Sequence, residues 1–149
     1  MAGVFFCDET HFLAGFQPKL NLISGIGGKP EQRDTCLEET ASREMLEELF
    51  GLSPKPIPFQ PERVVKNTGY TIFVFSFHDL HKMLRALSEY KSPFYESFPS
   101  TLQDLIYKRM DIGQEITRLN LYPFSYRKGL SKELLADIKL IHDEQQDSY

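Results

Sequence analysis

Three observations on this chain predict a mixed α/β fold. Short β-branched and aromatic runs, such as Thr71-Ile72-Phe73-Val74-Phe75-Ser76-Phe77, recur between segments of helical period. The helical segments place apolar residues three and four apart, as Leu80, Met83, Leu84 and Leu87 are. No repeat, low-complexity tract or break in composition divides the 149 residues, so a single domain over 1–149 is expected.

Each element follows from local pattern. Gly3–Cys7 and His11–Phe16 are apolar runs separated by Asp8-Glu9-Thr10, which predicts a β-hairpin. Leu20–Ile26 is a third extended segment and leads into Gly27-Gly28-Lys29-Pro30-Glu31. A helix is expected over about 36–50, capped by Thr35 or Asp34 and stopped by a left-handed Gly51. Pro54, Pro56, Pro58 and Pro61 mark a connecting loop. Arg63–Lys66 and Tyr70–Phe77 read as strands joined by a three-residue turn, Asn67-Thr68-Gly69. Helices follow over His78–Tyr90 and Leu102–Met110, then a strand over Ile116–Tyr122. Lys132–Asp143 is an amphipathic helix with Leu134, Leu135, Ile138 and Ile141 on its apolar face, followed by a polar tail expected to fray.

The chemistry is concentrated in the first helix. Glu44 lies three residues before Glu47 and four before Glu48, spacings that put all three carboxylates on one side. Such like-charge pairs cost roughly a few tenths of a kcal/mol each. Ala41, Met45 and Leu49 form the neighbouring apolar stripe, and Arg43 is within helical reach of Glu39 and Glu47. A solvated acidic face is one reading of this cluster. A hard divalent cation held through oxygen is the other, and the glycine loop upstream favours it.

Residues 27–52 resemble the signature of the Nudix hydrolases, G-x5-E-x7-R-E-U-x-E-E-x-G-U with U a bulky aliphatic residue. Arg43-Glu44-Met45-Leu46-Glu47-Glu48 matches the central block, Gly27-Gly28-Lys29 the opening and Gly51-Leu52 the end. One extra residue lies between Gly28 and Arg43. Counting back from Arg43, the upstream glutamate position falls on Thr35; counting forward from Gly28, it falls on Asp34. That acid braces the motif arginine in the family. A second extra residue precedes Gly51 and is expected to lengthen the helix by one; this Glu-Glu-Leu-Phe-Gly form is similar to that of Nudix proteins from large DNA viruses.

The resemblance implies an α/β/α sandwich with a mixed sheet, and hydrolysis of a diphosphate linkage in a nucleotide derivative with Mg²⁺, or alternatively Mn²⁺. It implies Glu44 and Glu48 as principal metal ligands, with the Gly27 carbonyl beside them. Glu47 is a second-metal ligand or the base. Gly28, Arg43 and Gly51 keep structural roles in the motif. Glu115 stands where family members carry a distal ligand or base, and is equally a surface residue at a strand start. Lys29, Arg63 and Lys66 are candidates for substrate phosphate, with Lys108 and Arg109 beside them as basic residues or solvated surface. Phe16, Tyr70 and Phe124 are candidates for base stacking. Hydrolysis of capped RNA and a silent binding scaffold are the alternative functions.

Composition bounds the partners. Seventeen basic and 21 acidic residues give a net charge of −4, which argues against bulk nucleic-acid binding. A nucleotide is therefore the first expected partner, with capped RNA second, and the oligomeric state is left open. Cys7 and Cys36 have no metal-ligand spacing and read as reduced thiols. No start resembling a secretory signal and no membrane-length apolar run is present, so an intracellular protein is expected, with the cytoplasm first among compartments. His11, His78, His81 and His142 are scattered and read as structural or solvated.

Overall fold

Alternation along the strands decides which residues face which helix. The computed structural model describes residues 1–110 and 116–143. Strands β1 (Ala2–Phe6), β2 (His11–Gln17), β3 (Leu22–Ser24), β4 (Ile26–Gly28), β5 (Arg63–Asn67), β6 (Tyr70–Phe75) and β7 (Thr117–Pro123) form two sheets. One has the order β4-β1-β6-β5 and is mixed: β1 runs parallel to β6, and the other neighbours are antiparallel. The second, β3-β2-β7, is antiparallel. The chain is thus a mixed α/β fold.

Two sequence expectations change here. β1 and β2 are not a regular hairpin: they diverge into different sheets and share only the bridge between Cys7 and Phe12. The Asp8 carboxylate turns the chain between them by accepting from the backbone N–H groups of Thr10 and His11. The segment 20–26 is not one strand either. It breaks at Gly25, so that β3 pairs with β2 and β4 pairs with β1. The β5–β6 hairpin forms as expected, but Asn67 pairs with Tyr70 and only Thr68 and Gly69 remain in the turn, Gly69 at φ 71°.

The first helix, α1, spans Leu37–Met45 and continues as a wider π-helical stretch over Leu46–Phe50. The additional residue before Gly51 is therefore absorbed by widening the last turns rather than by simple elongation. Gly51 closes it at φ 63°, its N–H reaching the carbonyls of both Glu47 and Leu46. The start also differs from expectation: Cys36 is the N-cap and supplies no side-chain bond. Asp34 is turned to Arg43 and Thr40, and Thr35 to Glu39.

Helix α2 is Phe77–Leu87, capped by a reciprocal Ser76–Asp79 box that ends the preceding strand at Phe75. Helix α3 is Leu102–Lys108, and α4 is Lys132–Ile138 with a π-helical extension over Lys139–Asp143. Ala2, Val4, Phe6, Phe73 and Phe75 pack with Ala41, Met45 and Leu49 of α1 and with α2. Phe5, Ile72 and Val74 point the other way, into a second cluster with Phe12, Leu134 and Ile138. Helices therefore cover both faces of the mixed sheet. Among the described residues no helix is long and apolar enough to cross a membrane.

Gly51 has no room for a side chain: a Cβ there would lie 2.9 Å from the Phe94 ring, in a left-handed backbone. Gly51→Ala is expected to destabilise the fold by about 1–3 kcal/mol in urea unfolding, from backbone strain plus the clash. A loss below about 0.5 kcal/mol would show that the cap tolerates a side chain.

Candidate functional site

Arg43 is the centre of the region. Its side chain is only 2% exposed, and a buried guanidinium requires partners on every edge. Nε and Nη2 donate to Asp34 at 3.1 and 3.0 Å, and Nη2 also donates to the Lys29 carbonyl at 2.9 Å. Nη1 reaches Glu44 at 3.0 Å, Glu31 at 3.2 Å and Glu47 at 3.4 Å. The fork thus ties the loop 29–34 to the helix. Its hydrogen bonds hold the Asp34 carboxyl well below the usual carboxylate range, with the Glu31 N–H and Thr40 hydroxyl adding to the effect. Of the two positions reached by counting, Asp34 is the one that contacts Arg43, while Thr35 bonds Glu39.

The two motif glycines face opposite sides of edge strand β4. Gly28 looks toward α1, where a Cβ would lie 2.4 Å from the Glu44 carboxylate. Only a glycine leaves that cradle open. Gly27 looks the other way, and a Cβ there would meet the Tyr70 hydroxyl at 2.3 Å. The outward N–H of Gly27 donates to Glu48 Oε2 at 3.2 Å. Glu44 and Glu48 therefore meet β4 at adjacent residues. Glu47 is more exposed and also pairs with Arg33 at 3.4 Å.

This donor set suits a hard cation in chemistry, being carboxylate oxygens beside a glycine backbone. Among the described residues, no three His, Cys, Asp or Glu side chains are grouped so as to hold a metal ion. Arg43 Nη1 occupies the space between Glu44 and Glu47, so a shared ion would draw a carboxylate away from it.

The other sequence candidates fall elsewhere. Lys29 is exposed at the loop and contributes its carbonyl to Arg43. Arg63 and Lys66 lie on β5, the edge opposite β4. Three strand spacings put Lys66 about 14 Å from Gly28. Arg63 donates to the Ile141 carbonyl at 2.7 Å. Neither is brought to the acids. Lys108 pairs with Asp104 and Ser97, and Arg109 is fully buried against the Leu49 carbonyl and the Phe94 ring. Phe124 is core, stacked on His142, while Phe16 packs under Arg118. Glu115 lies outside the described residues.

A second acidic group was not anticipated. Asp137 and Glu133 of α4 line a basin of about 200 Å³ with Tyr70 and Gly27. Asp137 is 7% exposed, and burial, then Glu133, push its carboxyl up to about 7. Burial, followed by the charges of Asp137, Glu48 and Glu44, raises the Tyr70 phenol. Tyr70 thus lies between the α1 acids and the α4 acids. The signal in the sequence was a lone aspartate on the apolar stripe of Leu134, Ile138 and Ile141.

The chain matches no protein-family model and no curated protein.

Asp137 carries a pH-dependent cost. A carboxyl titrating at about 7 when folded and near 3.8 when unfolded loses stability as pH rises between those values. The full difference is about 4 kcal/mol, reached near pH 8. Asp137→Asn removes it. The variant is expected to exceed the parent by roughly 2–4 kcal/mol in urea unfolding at pH 8, with the gap narrowing below pH 5. The same difference at both pH values would place the effect in packing rather than in charge.

Proposed function

We propose that this chain is a Nudix-type hydrolase with an α/β/α sandwich fold, cleaving a diphosphate linkage in a nucleotide derivative with Mg²⁺. The single observation that carries this is the meeting of Glu44 and Glu48 with adjacent glycines of β4. The match of residues 27–52 to the family signature supports it independently, and so does the Asp34–Arg43 contact.

In this reading Glu44 and Glu48 hold the cation, with the Gly27 carbonyl beside them. Mn²⁺ would serve the same oxygen set. Bound there, the ion neutralises the diphosphate and lowers the pKa of a bound water. Glu47 would accept a proton or hold a second ion. Arg43 keeps the loop and helix in register while the acids change partners. Lys29, exposed at the loop, is free to approach a phosphate group. The alternatives are hydrolysis of capped RNA at the same site and, after it, a silent scaffold of the same fold, which hydrolysis itself separates from the enzymes.

Activity on a panel of nucleoside diphosphate derivatives and capped RNA is expected to vanish in excess chelator and return with Mg²⁺. Glu48→Gln keeps shape and relieves repulsion, so it should fold at least as stably as the parent. Its rate should fall at least about 100-fold, as loss of a ligand in metal catalysis does. Turnover that survives chelation, or a Glu48→Gln enzyme as fast as the parent, would falsify the ligand assignment. Cleavage of capped RNA faster than any free nucleotide would move decapping to first place.

A further inference from the structure

Beside Gly27, on the face of the sheet opposite Glu44, lies the basin closed by α4. Its volume, about 200 Å³, is below the roughly 300–1,000 Å³ of sites for drug-sized ligands and suits one planar ring system. Its walls are mixed: Leu134 is buried, Leu20 and Met1 stand 53% and 45% exposed at the rim, and Gln17 and Ser24 are polar lining. Large apolar side chains left in water around one concavity mark a binding surface. The floor is different. Asp137 is more than nine-tenths buried, lines the basin and makes no hydrogen bond among the described residues. A buried carboxyl without a donor is costly and is ordinarily given a partner. Here the open side is the basin itself.

We propose that this basin is the base-binding subsite of the enzyme, and that Asp137 reads a purine edge carrying two adjacent N–H donors, as guanine does. The inference rests on the hydrolase reading for its orientation: the base enters the basin and the phosphates extend past Gly27 toward Glu44 and Glu48. A carboxylate offers two acceptors side by side, so its best complement is two parallel donors, a charge-assisted bidentate pair. Guanine presents N1–H and the 2-amino group. Hypoxanthine presents N1–H alone. Adenine puts an acceptor where N1–H would be, against a carboxylate oxygen. The Tyr70 ring and Leu134 supply the surface for the ring faces. Glu133, the other charged group on α4 at the basin, adds a further acceptor and keeps the region selective for donors.

The test is NMR-detected titration of the whole chain at about pH 8, where the Asp137 carboxyl is ionised, with Mg²⁺ present, using GMP, IMP and AMP. None contains a phosphoanhydride, so the result does not depend on hydrolysis. The expected order is GMP, then IMP, then AMP, with at least about tenfold between the first and last, because an edge lacking the donors leaves a buried acceptor unpaired. Asp137→Asn should bring the three within about twofold. Leu20→Ala, at the exposed rim, should weaken all three alike by about threefold through lost apolar contact. Equal affinities in the parent, a preference that survives Asp137→Asn, or indifference to Leu20→Ala would overturn the subsite. So would a Mg²⁺ isotherm without nucleotide that disappears in Asp137→Asn, since the acid would then be a cation ligand. A protein that hydrolyses nothing yet prefers GMP through Asp137 keeps the subsite and loses the hydrolase reading. Hydrolysis without base preference does the reverse.

Discussion

The buried guanidinium of Arg43 is the constraint on which the site depends. A guanidinium keeps its charge at any pH the protein meets, so burying it forces the surroundings to supply acceptors. Asp34, Glu31, Glu44, Glu47 and the Lys29 carbonyl are those acceptors. The loop from 29 to 34 has no regular structure of its own, yet it is fixed because two of its carboxylates and one carbonyl meet Arg43. The position of α1 against β4 follows from the same contact. A neutral residue at 43 would leave the loop untied and bring the carboxylates together unscreened.

Edge strand β4 turns that constraint into a two-sided site. Two successive residues of a strand face opposite ways. Gly28 therefore opens space for a carboxylate on the α1 side, and Gly27 opens space for the Tyr70 hydroxyl on the α4 side. The break at Gly25 is what makes β4 short and places it at the edge. Without it the chain from Leu22 would continue along β2, and the glycines would have no sheet to stand on. The outward N–H of an edge strand lacks a neighbour, and Glu48 supplies one to Gly27.

What the sequence revealed tracks the range of the interactions involved. The acids of α1, its buried stripe and the left-handed Gly51 are local features, set by period and by glycine, and each is where the pattern puts it. The β5–β6 hairpin and α2 are local as well. The misreadings are of pairing. Nothing in Gly3–Phe16 distinguishes a hairpin from two strands entering different sheets, because that choice is made by partners far along the chain, β6 for one and β7 for the other. Arg63 and Lys66 look like phosphate ligands in sequence, and only the sheet order places them across from the acids. Asp137 was legible in principle, as an acid among Leu134, Ile138 and Ile141, but an apolar stripe draws the eye past its exception.

The charge balance around Arg43 bears on what the site would accept. Among the described residues, Asp34, Glu31, Glu44 and Glu47 pair with Arg43 or Arg33, and the charge of Glu48 also acts on Arg109. Five carboxylates therefore outnumber the guanidiniums of Arg43, Arg33 and Arg109 in this region. On the proposed reading a divalent cation would offset part of that negative charge, and a diphosphate arriving with it would meet Arg33 and Lys29 at the rim. Asp137, on the far side of Gly27, acts with Glu48 and Glu44 on the Tyr70 phenol, while burial and Glu133 govern its own carboxyl. On the proposed reading the cation would meet the acids at β4, the diphosphate Arg33 and Lys29, and a donor-bearing base Asp137, so one edge strand would order all three.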